Sequence, residues 1–169
     1  MKRFLVQLFG VFLLLISALL TAGFVLPPTI TLVSSVHLPA NKEIVWQQIE
    51  NPTGIPTWSD VVRSVRVIQT SEEGNLKWIE YYDQGESTLE LVESKRYHHA
   101  LIRSLDPPGV LWRLRFDSDD QDQTVLTIQW EATPEKPFNR SLVWLFSLWR
   151  NPAALMSSEI EARIAAYVS

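Results

Sequence analysis

Residues Phe4–Leu26 form an unbroken run of 23 residues without a formal charge, and no other feature constrains the chain as much. In water such a run has no stable exposed state. As a helix rising 1.5 Å per residue it matches a bilayer hydrocarbon core of roughly 30 Å. Pro27-Pro28 ends it, because neither ring nitrogen can donate a hydrogen bond and the second proline restricts the first. Lys2 and Arg3 precede the run and no charge follows until Lys42. The positive-inside rule therefore predicts a single-pass anchor over 1–28, with a cytoplasmic N-terminus and the remainder, 29–169, on the exoplasmic or periplasmic side. A cleaved signal peptide is the alternative. The run is long for a signal h-region and Thr21-Ala22-Gly23 is a mediocre cleavage site.

The part beyond the anchor is large enough for one domain with its own core. No Cys occurs, which excludes a disulfide framework, a thiolate metal site and a Cys nucleophile. Of the 15 basic residues two belong to the anchor, leaving 13 against 19 acidic ones, a net of −6. A nucleic-acid partner calls for a basic face, and none is visible.

Thr29–Leu38 is rich in β-branched residues and reads as a strand. Pro39-Ala-Asn-Lys-Glu opens a helix whose apolar positions are Ile44, Val45, Trp46 and Ile49. Asn51-Pro52 and Gly54-Ile-Pro56 end it, with a second helical turn expected at 57–60. Strands are expected over Val61–Gln69, Leu76–Asp83, Thr88–Lys95, Tyr97–Leu105, Val110–Phe116 and Val125–Ala132, the last two paired across the acidic turn 117–122. The middle pair is either a tight hairpin or one bent strand. Asp106-Pro-Pro-Gly109 carries strong turn chemistry. A helical stretch over about 139–168, interrupted or kinked at Pro152, closes the chain. Strand, helix, meander and C-terminal helix together predict an α+β domain, an antiparallel sheet with helices on one side. A curved sheet closed by one helix leaves the kind of space in which small ligands bind.

The stretch Val36-His-Leu-Pro-Ala-Asn-Lys-Glu-Ile-Val-Trp46-Gln-Gln-Ile49, followed by Ile55-Pro-Thr-Trp58-Ser-Asp60, resembles the opening of the START-like superfamily, the SRPBCC or polyketide cyclase/dehydrase-like group. By element order the resemblance covers the whole domain; by motif it covers about 25 residues. It implies a helix-grip fold, with about seven strands curved round a long C-terminal helix and an apolar cavity between them. The group spans lipid carriers, sterol and hormone binders, aromatic cyclases and oxygenase subunits, so no single activity follows from it.

Seven Trp residues stand out. Alternation places Trp112 with Val110, Leu114 and Phe116 on one strand face, and Trp130 with Leu126 and Ile128 on the next. With Trp58, Trp78 and Trp149, the residues Trp112, Leu114, Ile128 and Trp130 are the candidates for a cavity wall, the competing reading being a filled core. Trp78, Glu80 and Tyr82 share a face, so Glu80 and Tyr82 become polar handles in the cavity if that face turns inward; otherwise they mark an exposed edge. A buried, unpaired Glu has a raised pKa and suits acid–base work. His98 and His99 alternate and cannot easily hold one ion. His99 shares its face with Tyr97, Leu101 and Arg103 and is a further cavity candidate. His37 has no partners of metal-ligand spacing. Asp117–Asp122 lacks the central Gly of a calcium loop and has Ile128 where its bidentate Glu belongs. G-x-S-x-G, P-loop, G-x-G-x-x-G and H-E-x-x-H motifs are all missing. No cofactor and no metal is therefore expected.

Ser141–Met156 holds one charge, Arg150. A helix apolar nearly all round is buried on several sides. The sheet can grip it, or it can lie in the membrane interface with Trp144 and Trp149 as anchors; the fold argument favours the first. The leading functional expectation is an anchored module binding a lipid or other apolar small molecule. The rivals are a cyclase, dehydratase or isomerase using Glu80 or His99 with Tyr82, and an envelope accessory domain with a protein partner.

Overall fold

A computed structural model describes residues 2–68, 75–106, 108–119 and 123–169. The apolar run forms α1 (Lys2–Val25), long and apolar enough to cross a membrane over Gln7–Val25. The domain then runs β1 (Ile30–Leu38), α2 (Lys42–Ile49), a 3-10 helix (Pro52–Thr57), β2 (Ser64–Ile68), β3 (Lys77–Tyr82), β4 (Gly85–Lys95), β5 (His99–Asp106), β6 (Pro108–Ser118), β7 (Thr124–Ala132), α3 (Pro137–Trp149) and α4 (Pro152–Val168). The strands make one antiparallel sheet in the order β1-β7-β6-β5-β4-β3-β2. This is the expected helix-grip arrangement, with β1 carried to the far edge to pair with β7, Ile30 opposite Ala132 and Leu38 opposite Thr124.

Local chemistry sets the boundaries. The Asn41 side chain accepts from Ile44 N at 3.0 Å and starts α2. Asn51 likewise accepts from Thr53 N, and Pro52 occupies the first turn that follows. Residues read from sequence as terminators of α2 thus begin the next helix, so the short turn lies at 52–57 rather than 57–60: proline in a first turn costs no hydrogen bond. Lys95–His98 makes the tight hairpin between β4 and β5, with Tyr97 at φ 63°. Gly109 has φ 84°, and a Cβ there would stand 2.9 Å from Thr133 O. Both its conformation and this close approach require glycine. The expected end of the second strand at 69–74, and half of the acidic turn, 120–122, lie outside the described residues.

The core forms where α4 lies across β1 and β7. Ile160, Ile164 and Ala153 meet Leu38, Leu126, Ile128, Leu114 and Phe116, with Val45 and Trp46 of α2 closing one end. Trp46 packs edge-on against Phe116 at 5.2 Å and Tyr97 at 6.2 Å. Thr124 donates from both N and Oγ1 to Ala40 O, tying β7 to the start of α2.

The C-terminal helical stretch divides, as Pro152 suggested, and its halves part company. Arg150 and Asn151 are extended, and Asn151 caps α4 by accepting from Ala153 N and Ala154 N. Only α4 is gripped by the sheet. α3 packs instead against α1, which corrects the expectation for 141–149. Ser141 Oγ donates to Leu19 O at 2.6 Å, and Arg140 Nη1 donates to Gly23 O at 3.0 Å. Carbonyls at a helix C-terminus lack partners within the helix, and Arg140 supplies one. A Cβ on Gly23 would fall 1.9 Å from Pro137 O, so only glycine permits this approach.

Two outcomes follow. Ile160→Ala, at a position with no exposure, lowers unfolding free energy by about 2–5 kcal/mol in a denaturant titration. A short thiol cross-linker joins α1 to α3 in the Leu19→Cys/Ser141→Cys variant; adding Gly23→Leu abolishes that product.

Candidate functional site

Register decides which side chains share a face, because directly paired residues of an antiparallel sheet point the same way. The face beneath α4 carries Trp130 and Ile128 of β7. Across the ladder it continues through Trp112 and Leu114 of β6, Ala100, Ile102 and Ser104 of β5, Ser87, Leu89 and Leu91 of β4, and Trp78, Glu80 and Tyr82 of β3. Of the two alternatives for β3, its Trp78–Glu80–Tyr82 side therefore turns inward. Leu114 and Ile128 belong to the closed core under α4, whereas Trp112, Ile102 and Val110 are only half-buried. Trp112 and Trp130 meet edge-on, 6.5 Å between centroids. Trp58 caps the 3-10 helix and packs against this core, its buried Nε1 without a hydrogen-bond partner.

Glu80 is 8% exposed, and among the described residues no cation perturbs it. Its carboxyl accepts from Trp78 Nε1 at 2.9 Å and from Tyr82 Oη at 2.6 Å. Burial raises its pKa, and the two hydrogen bonds only partly oppose the rise. Burial, and then the Glu80 charge, push the Tyr82 phenol up as well. Glu90 on the opposite face shows the contrast. Also buried, it meets Arg103 at 2.5 Å and Lys77 at 3.5 Å, and the bond from Arg103 holds its carboxyl below the usual range. Glu90 is thus a compensated clamp across β3, β4 and β5, while Glu80 is a carboxyl able to hold a proton or to accept from a hydroxyl.

Ser87 and Ser104, which the sequence did not single out, extend this polar group. Ser87 pairs with Glu80 in the ladder, and its Oγ lies 3.3 Å from Ser104 Oγ. Ser104 pairs with Val110, Val110 with Ala132, and Ala132 with Ile30. The polar row therefore follows the sheet rim from which both α1 and α3 depart. Ser104 stands level with Leu89 and Trp78 in the ladder, one step inward from Ser87 and Glu80, and apolar Ile102 and Trp112 lie one step deeper still.

Two candidates do not join this group. His99 lies on the outer face opposite Arg115, its Nε2 2.8 Å from Glu93 Oε1. Strand alternation had grouped it with Tyr97, but Tyr97 sits in the hairpin turn with positive φ and its ring reaches the core, so the two-residue period breaks between them. Trp149 is 84% exposed at the end of α3, away from the sheet, because α3 follows α1. Among the described residues no three His, Asp or Glu side chains cluster as metal ligands.

No family model matches the sequence, and no curated protein matches it. Solved structures do. The Zhui aromatase/cyclase from Streptomyces sp. R1128 superposes with a TM-score of 0.65 at 13% identity, covering 83% of this chain and 96% of that one. Norcoclaurine synthase from Thalictrum flavum, a point mutant bound to a transition-state analogue, gives 0.65 at 14% identity over 83% and 97%. A protein from Thermus thermophilus gives 0.61 at 16% identity over 83% and 100%. The fold is the helix-grip fold, shared with these proteins. Its likeness to these proteins lies in architecture, and the candidate site rests on this chain's own residues.

The Glu80 environment generates a pH signature. A carboxyl whose folded pKa is raised favours the folded state below its unfolded pKa and loses that contribution as pH rises through the folded value. Glu80→Gln removes the buried charge while keeping one acceptor, at a cost of about 1 kcal/mol for the lost hydrogen bond. Its Tm relative to the parent is therefore expected to be lower at pH 4 and to recover at pH 8. A pH-independent difference in calorimetry would show that Glu80 holds its proton equally in the folded and unfolded states, with no raised pKa.

Proposed function

We propose that this chain is a membrane-anchored binding protein for a lipid or other apolar small molecule. Residues 1–28 are its anchor, with the N-terminus in the cytoplasm, and residues 29–169 form the binding domain on the far side. The observation that carries the reading is the polarity order of the inner face. Polar Glu80, Tyr82, Ser87 and Ser104 line one rim, and the half-buried apolar surface of Ile102 and Trp112 lies deeper. A molecule with one polar end and an apolar body is complementary to that order, its hydroxyl or amide donating to Glu80 while its body displaces water from the tryptophans. Trp58 Nε1 is a spare donor beside the same core.

Buried Glu80 bonded to Tyr82 also favours a second reading, chemistry of the cyclase or dehydratase type with Glu80 as proton carrier. The aromatase/cyclase and the synthase of the same fold make such a use of the scaffold physically reasonable. His99, on the outer face, has no part in it.

The binding reading is tested by mass spectrometry of the full-length protein gently purified from its own membranes. One defined apolar molecule at near-stoichiometric amount is expected in the parent, and a large loss is expected in Trp112→Ala with the thermal transition still cooperative. Bulk membrane lipid alone in both proteins would overturn it. A bound molecule recovered chemically altered from the parent and unaltered from Glu80→Gln would favour the enzyme reading.

A further inference from the structure

α3 presents a surface that nothing in the domain covers. Leu142, Leu145, Phe146, Leu148 and Trp149 are exposed, Leu148 at 66% and Trp149 at 84%. Along its 13 residues only Arg140 is charged, with Arg150 just after the end. Five large apolar side chains on adjacent turns exceed what a water-facing helix normally carries.

The position of α3 says what covers them. Pro137 abuts Gly23, and one turn later Ser141 bonds to Leu19, one turn earlier in α1. The two helices therefore run antiparallel, and α3 proceeds back along α1 away from Pro27-Pro28. The contacts from Leu19 to Leu26 occupy about 10 Å of α1 at 1.5 Å per residue, wholly inside one leaflet of a core of roughly 30 Å. If α1 spans a bilayer, α3 is held at the depth of that leaflet by the same contacts. An apolar groove of about 250 Å³ between the helices, lined by Leu19, Ala22, Val25, Leu26, Trp144 and Leu145 with Ser141, continues the lipid-facing surface of α1 onto α3.

We infer that α3 is a second membrane element, immersed in the domain-side leaflet with its Leu142–Leu145–Phe146–Leu148–Trp149 face against lipid. Neither cation near α3 is left without a partner group. Arg140 is engaged by the last carbonyls of α1, and Arg150 lies over the Trp149 ring at 6.0 Å. The domain is then held against the membrane by two helices rather than swinging on one. The inference rests on α1 being an anchor, as proposed above.

The lack of cysteine makes the test direct. Single-cysteine variants of the full-length protein are labelled with a nitrobenzoxadiazole dye and reconstituted into phosphatidylcholine/phosphatidylglycerol vesicles, with or without doxyl-labelled lipid. Phe146→Cys and Leu148→Cys report α3, Leu15→Cys reports α1, and Val33→Cys on the outer face of β1 reports water. Loss of most emission to doxyl lipid at positions 15, 146 and 148, with 33 spared, is the expected result. Quenching at 15 but not at 146 or 148 overturns the proposal while leaving the anchor intact. Blue-shifted dyes at 146 and 148 that doxyl lipid cannot reach assign the face to a protein partner or a second copy, and equally overturn it. An unquenched dye at 15 removes the anchor and this inference together.

Discussion

The domain is organised around one helix laid across one pair of strands. Ile160 and Ile164 of α4 have no solvent exposure, and neither do Leu38, Leu126 and Ile128 beneath them. That contact joins the last element of the chain to the first strand and to the last, so removing it opens the sheet at the seam between β1 and β7. Everything nearer β3 hangs on the seam through strand pairing. α4 packs directly on only part of the sheet, so the inner face divides into a closed region over β1 and β7 and a half-buried region over β5 and β6. The candidate site is a consequence of that unequal cover.

Much of this was legible in the residues. Alternation in Val110–Phe116 and Val125–Ala132 placed Trp112 and Trp130 on the same face, and they meet there. The opening motif with Trp46 and Trp58 pointed to the helix-grip fold, and Pro152 to the break between α3 and α4. Positions governed by a backbone exception were not legible. The left-handed conformation of Tyr97 puts its ring on the core although His99 faces outward, and a period-two pattern has no way to register that change. Asn51-Pro52 has the same composition whether it ends a helix or starts one.

α3 was misplaced for a different reason. A helix apolar on nearly every side satisfies two solvents, a protein interior and a bilayer, and hydropathy does not distinguish them. What sets α3 beside α1 is Gly23, the small residue of α1 that lets a backbone approach, together with Ser141 and Arg140, whose side chains reach α1 carbonyls. These are pairings between residues more than a hundred positions apart, invisible to any local window. The polar group was half seen: Glu80 and Tyr82 were recognisable as a pair, while Ser87 joins them through register and Ser104 through its hydroxyl contact with Ser87.

The pairing of β1 with β7 also bears on how the chain acquires its structure. Ile30 is made early in synthesis, and its partner Ala132 follows 102 residues later. Until then β1 has no neighbour in the sheet, and the meander from β2 to β6 must form with one edge open. Contacts of such separation slow folding, and an unpaired strand edge invites association with other chains. The last hairpin to appear is therefore the one that brings in the partner of β1, and α4, made after α3, then covers the seam.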